Sequence, residues 1–228
     1  MKKILKPYLD IVFPAVCVCC GASLAVSGKH LCHWCRSDRF EKADHDEFLI
    51  CPDSVLFLHM MWKFDKGGYL QNLMHNLKYN FMKGVGEELG YVLGHSLIDS
   101  KESDWLQDMD QLNPLLIPVP LHKSKLRKRG YNQAGAIADG LSRAIGWSVA
   151  ATDSIKRVRK TKTQTGLSTE ERKKNLHGAF EVVSPTSFQN RLPVIVDDVF
   201  TTGATTYELA GILSGSDQKA GIITVAMA

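Results

Sequence analysis

The sequence predicts an α/β fold: an open, mostly parallel sheet with flanking helices, carrying a small N-terminal cysteine module. Three observations lead there. Val194, Ile195 and Val196 form a β-branched apolar run of the kind buried in parallel sheets, followed at once by Asp197, Asp198 and a Thr/Gly-rich turn. Thr206, Leu209, Ala210 and Leu213 then recur at helical spacing, and the same strand-then-helix order is seen earlier, at 115–119 and 132–145. Finally, Cys17, Cys20, Cys32 and Cys35 form two C-x-x-C pairs ahead of this pattern.

Length and composition permit this. The 228 residues, 44% of them hydrophobic, suffice for one full α/β domain with a small extra module, drawn as 1–53 and 54–228. Within the larger part, 54–113 is expected to form a helical, hood-like part and 114–228 the core that binds ligand. The net charge of +4 is too mild to announce nucleic-acid binding by itself.

In chain order, residues 4–13 read as a short amphipathic helix. Lys6, Pro7, Asp10 and Pro14 interrupt the apolar opening, so it does not read as a signal peptide, and no segment reaches the roughly 18 apolar residues of a membrane span. A cytoplasmic protein is expected. The cysteine pairs follow, separated by eleven residues. Two C-x-x-C turns complete a tetrahedral thiolate shell, so Cys17, Cys20, Cys32 and Cys35 are expected to hold a structural zinc. Disulfides would require an oxidising compartment. Cys19 is a possible substitute ligand, Cys51 reads as an ordinary buried thiol, and His30 and His33 read as surface residues.

After a charged linker at 38–53, residues 54–64 read as a strand, and Leu70, Leu73, Met74 and Leu77 mark a helix over 69–82. A second helix follows Gly84. Lys78 fits either a solvated helix position or one reaching over a ligand. Residues 100–113 read as a polar connector, and 115–119 as a short buried strand. Between that strand and the helix at 132–145 lie Lys123, Lys125, Arg127, Lys128 and Arg129. A basic run often means a solvated face, but the end of a strand is where open α/β sheets bind ligands. Residues 147–158 hold one or two strands, and 159–180 read as a basic loop with a short capped helix. Strands at 180–183 and 221–226 bracket the acid-pair stretch, the last expected to leave a sheet edge uncovered.

That stretch, 192–205, is the chemical centre. A helix N-terminus behind a Thr/Gly turn offers N–H groups and a positive dipole end to phosphate. Two adjacent carboxylates suit ribose hydroxyls and, directly or through water, a magnesium ion. The simpler reading, acids that merely end a strand, does not account for the order of strand, acids, hydroxyls, glycine and helix. The stretch resembles the phosphoribosyl pyrophosphate (PRPP) motif of type I phosphoribosyltransferases.

Together with FPAVCVCCG, LCHWC, LKYNFMKG, IPVPLHKSKLRKRGYNQA and RKTKTQTGLSTEERKKNLHGAF, it also resembles the ComF/ComFC competence family over nearly the whole chain. The resemblance implies a zinc-bearing segment on a type I phosphoribosyltransferase fold, linked to natural transformation. It implies PRPP contacts from Asp197, Asp198, Thr201, Thr202, Gly203, Ala204 and Thr205. It further implies pyrophosphate contacts around 120–123, Lys123 included, with Arg129 nearby and Lys160, Lys162 and Gln164 brought over by the mobile loop.

Two classes of function stay open on sequence. One is a phosphoribosyltransferase acting on a base or amine, in which magnesium and cations neutralise the departing pyrophosphate. The other, favoured by the whole-chain resemblance, is a PRPP-binding factor in DNA uptake that works with other transformation proteins. Its basic segments at 123–129 and 156–174 would contact single-stranded DNA. Tyr131, Trp147 and Phe180 are the nearest aromatic candidates for stacking, each read first as a core residue.

Overall fold

The computed structural model describes residues 15–24, 29–43, 51–79, 82–100, 104–159, 178–214 and 218–228. The expected helix at 4–13, the capped helix near Ser168, and Lys160, Lys162 and Gln164 lie outside them. Five strands, β1 (Val55–Lys63), β2 (Leu115–Pro118), β3 (Ser148–Val149), β6 (Pro193–Phe200) and β7 (Ala220–Met227), form one sheet in the order β1-β7-β6-β2-β3. All four pairings are parallel. Strands β4 (Ile155–Arg157) and β5 (Phe180–Val182) make a separate antiparallel ribbon.

Successive strand residues point to opposite faces, and both faces are covered, which explains the unbroken apolar runs. Leu116, Val194, Val196, Ile223 and Val225 face helices α2 (Tyr69–Tyr79), α3 (Lys83–Ser100) and α6 (Gln133–Ile145). Leu115, Ile117, Ile195 and Ile222 face α7 (Ala204–Leu213) and the ribbon, through Leu209, Ala210, Ile155 and Phe180. Helices α3 and α6 touch backbone to backbone through small residues. A Cβ on Gly90 would fall 1.9 Å from the Ile137 carbonyl oxygen, and one on Gly140 1.9 Å from that of Glu87.

The cysteine segment, with its short helix α1 (His33–Ser37), packs into the first of these cores. Cys17, Leu31, Cys35 and Phe40 are buried there, and the Phe40 and Trp62 rings lie 4.6 Å apart. His30 is half-exposed, and its backbone N–H donates to Glu88 Oε2 at 2.6 Å, with Arg36 Nε 3.8 Å from Glu88 Oε1.

Four expectations are corrected. The acid-pair strand does not stop at Val196 but runs through Asp197 and Asp198 to Phe200, because β7 continues beside it to Met227. The last strand is interior, with β1 on its far side. The connector at 100–113 contains helix α4 (Trp105–Gln111), and the basic run is itself helix α5 (Lys123–Arg129). Helix α5 starts where the His122 side chain accepts the Ser124 N–H and stops at Gly130, whose φ of 75° suits glycine. Among the described residues, no helix is long and apolar enough to cross a membrane.

Candidate functional site

In a parallel sheet every strand ends on the same side, and ligands collect beyond those carboxyl ends. Here a cavity of about 560 Å³ opens at the ends of β2 and β6, walled by α2, α5 and the N-terminus of α7. Strand β6 delivers Asp197 and Asp198, and the turn at 201–203 delivers α7. Gly203 caps α7 with φ of 70°, and a Cβ there would lie 2.4 Å from the Tyr207 ring, so conformation and space both require glycine. Thr206 Oγ1 donates to the Gly203 carbonyl at 3.1 Å, closing the first turn. The hydroxyl of Thr202 is buried and has no hydrogen-bond partner among the described residues. A polar atom left in that state fits an incoming ligand.

The acid pair is surrounded by cations. Asp198 is buried, and Lys78 Nζ from α2 lies 2.8 Å from its Oδ2. Burial works against the Lys78 ammonium, but the Asp198 and Asp197 carboxylates outweigh it and raise the lysine pKa. Burial, and then the Asp198 charge, push Asp197 up to about 7, against the pull of Lys78 and Arg157. Burial lowers Arg157 despite its attraction to Asp197. Lys125 is lowered too, first by burial and then by Arg157, Arg129 and Lys78. Four basic residues thus share the cavity with two acids, and the excess positive charge favours an anion.

On the first core's side, ligand atoms of Cys17, Cys20, Cys32 and Cys35 lie within 4.8 Å of one another. All six cysteines are free thiols, and Cys20 Sγ and Cys32 Sγ are 3.7 Å apart. That is far beyond a disulfide bond of about 2.05 Å. It matches the roughly 3.8 Å edge of a sulfur tetrahedron with metal–sulfur bonds of about 2.3 Å. Burial disfavours the Cys17 thiolate, but backbone N–H groups of Cys32, Cys20 and Cys19 prevail and lower it to about 7. Burial and neighbouring thiols push Cys35 up. The four can hold a metal ion. Cys19 is half-buried outside the group, and Cys51 Sγ sits 3.9 Å from the Tyr207 hydroxyl.

No family model matches the chain. Competence protein F of Haemophilus influenzae is 35% identical over 145 residues, which span 63% of this chain and 61% of that protein. DNA utilization protein YhgH of Escherichia coli K12 is 30% identical over 224 residues, 89% of this chain and 92% of that protein. The chain belongs to the ComF family. Competence protein ComFC of Bacillus subtilis is a more distant relative, 23% identical over 219 residues.

In this ComF-family chain, Asp197, Asp198, Thr201, Gly203, Ala204 and Thr205 line the cavity, with Thr202 buried in the turn behind them. Arg129 lines it as well and donates to Gln133 Oε1 at 2.8 Å. Lys123 does not: it is exposed, and Lys125 takes the inward position, because residues four apart on α5 share a face and those two apart do not. Sequence reasoning named Lys125 only as one of the basic run, missed Arg157 and left Lys78 undecided. The helical spacing from Lys125 to Arg129 was the signal available for the first. Nothing local marks Arg157, which reaches the site only through the β4–β5 ribbon.

The aromatic candidates sort as core residues. Trp147 and Phe180 are buried, with Trp147 Nε1–H donating to Asp110 Oδ1 at 2.6 Å. The half-buried Tyr131 donates its hydroxyl to the Leu77 carbonyl. The exposed aromatics lie elsewhere. Tyr79 stands at the cavity rim with Arg129 and Lys128 at 5.5 and 5.8 Å from its ring, and Arg39 sits 4.0 Å over both Trp34 and Tyr69.

Proposed function

We propose that this protein binds PRPP in the β6–α7 cavity and serves the uptake or utilisation of DNA. The observation that carries the first part is the meeting of two carboxylates and a helix N-terminus within one cation-lined cavity, with the unpartnered Thr202 hydroxyl in the turn behind them. In this reading Asp197 and Asp198 accept ribose hydroxyls, the 201–205 turn takes the 5-phosphate, and Lys125, Arg129 and Arg157 face the pyrophosphate. Lys160, Lys162 and Gln164 extend that set. Magnesium, when it accompanies the pyrophosphate, neutralises its charge. The cysteine group holds a structural zinc, since four sulfurs make a closed shell with no position left for substrate. By this reading residues 1–53 form the zinc module and 54–228 the PRPP-binding part.

The DNA role is supported by what the relatives are named for, competence and DNA utilization. On this chain it is supported by the exposed basic side chains of α5 beside Tyr79, a pairing of cation and aromatic that suits single-stranded DNA. An active phosphoribosyltransferase on a nucleobase or amine is the second reading, favoured by the volume of the cavity, about 560 Å³.

The test is calorimetric titration of PRPP with magnesium into the native chain and into Asp197→Asn/Asp198→Asn. Binding to the first that is lost in the second is expected, and equal affinity would remove the site assignment. Release of pyrophosphate from PRPP in a pool of bases and amines separates an enzyme from a binding factor.

A further inference from the structure

Lys78 occupies the place on Asp198 that a divalent cation would need. Its Nζ is 2.8 Å from Oδ2, in an ion pair whose lysine side chain is 26% exposed and whose aspartate side chain is 7% exposed. Helix α2 is anchored by Leu73, Met74 and Leu77, all buried in the core. The carbonyl of Leu77, the residue just before Lys78, receives the Tyr131 hydroxyl, which ties the last turn of α2 to the α5–α6 junction. The helix end is therefore held against the acid pair from two directions.

Charge makes the same point. A magnesium ion bound to Asp198 would lie about 2.1 Å from a carboxylate oxygen, within a few ångströms of the ammonium already there. The remaining carboxylate, Asp197, shares the cavity with Arg157, whose charge attracts it. Two carboxylates in one cavity with Lys78 and Arg157 leave no net negative charge to attract a free divalent ion. The donor set at the acid pair thus does not fit a protein-bound metal, although its residue types alone would.

We infer that Lys78 is the resident cation of the acid pair, replacing a metal on Asp198, so that a phosphorylated ribose engages Asp197 and Asp198 without any protein-bound divalent ion. The inference deepens the PRPP reading of this cavity and rests on it. Magnesium then enters only with the pyrophosphate of the ligand. Lys78 is a positioning residue: its ammonium fixes Asp198 Oδ2, and the ribose hydroxyls take the remaining lone pairs of the two carboxylates.

The experiment uses the full chain with its cysteine site loaded with zinc and no phosphoribosyl ligand present. Manganese is titrated and the free ion is followed by electron paramagnetic resonance. The native chain and Lys78→Arg are expected to show no saturable site. Lys78→Met is expected to gain one, about tenfold tighter or more than any residual native binding, and Lys78→Met/Asp198→Asn to lose it again. Equal manganese affinity in native and Lys78→Met chains, whether both bind or neither does, overturns the inference. A second arm measures ribose 5-phosphate affinity of the native chain with and without magnesium. An unchanged affinity supports the inference, and a tenfold rise with magnesium overturns it. Absence of ribose 5-phosphate binding under both conditions counts against the PRPP reading itself, and the manganese arm then still decides the role of Lys78.

Discussion

Asp197 Oδ1 accepts the backbone N–H of Asp198 at 2.9 Å, which fixes the Asp197 carboxylate at the cavity floor. Burial and the adjacent charge raise Asp197 from 3.8 to about 7. A carboxyl whose folded pKa exceeds its unfolded value binds more protons when folded. Its contribution to stability is therefore complete below about 4 and is lost as pH rises through about 7. Asp197→Asn is expected to unfold at a higher temperature than the native chain at pH 8 while failing to bind PRPP. Thermal unfolding at pH 5 and pH 8 checks this. A variant less stable than the native chain at pH 8 would show that the pair is not a strained functional site.

Lys125 and Lys123 are separated by one residue and by the whole wall of α5. The first lines the cavity and the second is exposed to solvent. Lys125→Met is expected to weaken PRPP binding about tenfold, the loss of one charge-assisted contact, whereas Lys123→Met changes it by less than about twofold. Titration calorimetry distinguishes them. The reverse order would mean that α5 is turned differently when ligand is bound.

Periodicity and position made the architecture legible. The run Val194 to Val196 is apolar on both faces because both faces are buried, and that is the mark of a central parallel strand. The spacing of the four cysteines likewise needed no tertiary information. What stayed hidden depends on distant partners. Strand β6 continues past Val196 because β7 pairs with Asp197, Val199 and Phe200. Lys78 could not be placed because its meaning comes from Asp198, far along the chain, and Arg157 because a two-stranded ribbon carries it in. The basic run was legible as charge but not as a helix. A helical reading of 123–129 would have separated Lys125 and Arg129 from Lys123 at once.

The contact between α3 and α6 predicts a sharp contrast between two glycines. At Gly90 a methyl group would meet backbone atoms of Ile137 and Leu141, which cannot move aside as a side-chain tip can. Gly90→Ala is expected to cost about 3 kcal/mol or more by overpacking. At Gly211, in α7, an added Cβ meets nothing within 4 Å, so Gly211→Ala is expected to gain about 0.5–1 kcal/mol from helix propensity. Urea denaturation of both variants checks the pair. A mild effect at Gly90 would mean that the two helices are not in backbone contact.

The cysteine group predicts about one equivalent of bound zinc, lost from Cys17→Ser/Cys32→Ser. Because Cys17 and Cys35 share a core with Trp62 and Met61, removal of the metal is expected to lower the unfolding temperature of the whole chain rather than of a detached segment. Metal analysis and a thermal scan before and after chelation test both statements. Two separate transitions would show that the module folds independently of the sheet.

Exposed charge on α5 sets the last expectation. Arg127 and Lys128 project outward while Lys125 and Arg129 face the cavity, so the outer pair can touch a nucleic-acid backbone without disturbing the PRPP site. For single-stranded DNA each phosphate contact contributes about 0.7 to the slope of log K against log salt. Arg127→Gln/Lys128→Gln is expected to reduce the magnitude of that slope by about 1.4 and to leave PRPP affinity unchanged. Tyr79→Ala, which removes an exposed ring beside Lys128, is expected to weaken binding by a similar factor at every salt concentration, since stacking releases no counterions. Fluorescence anisotropy with a labelled oligonucleotide across a salt series measures both. A native chain whose affinity does not vary with salt would eliminate α5 as a DNA-contacting surface.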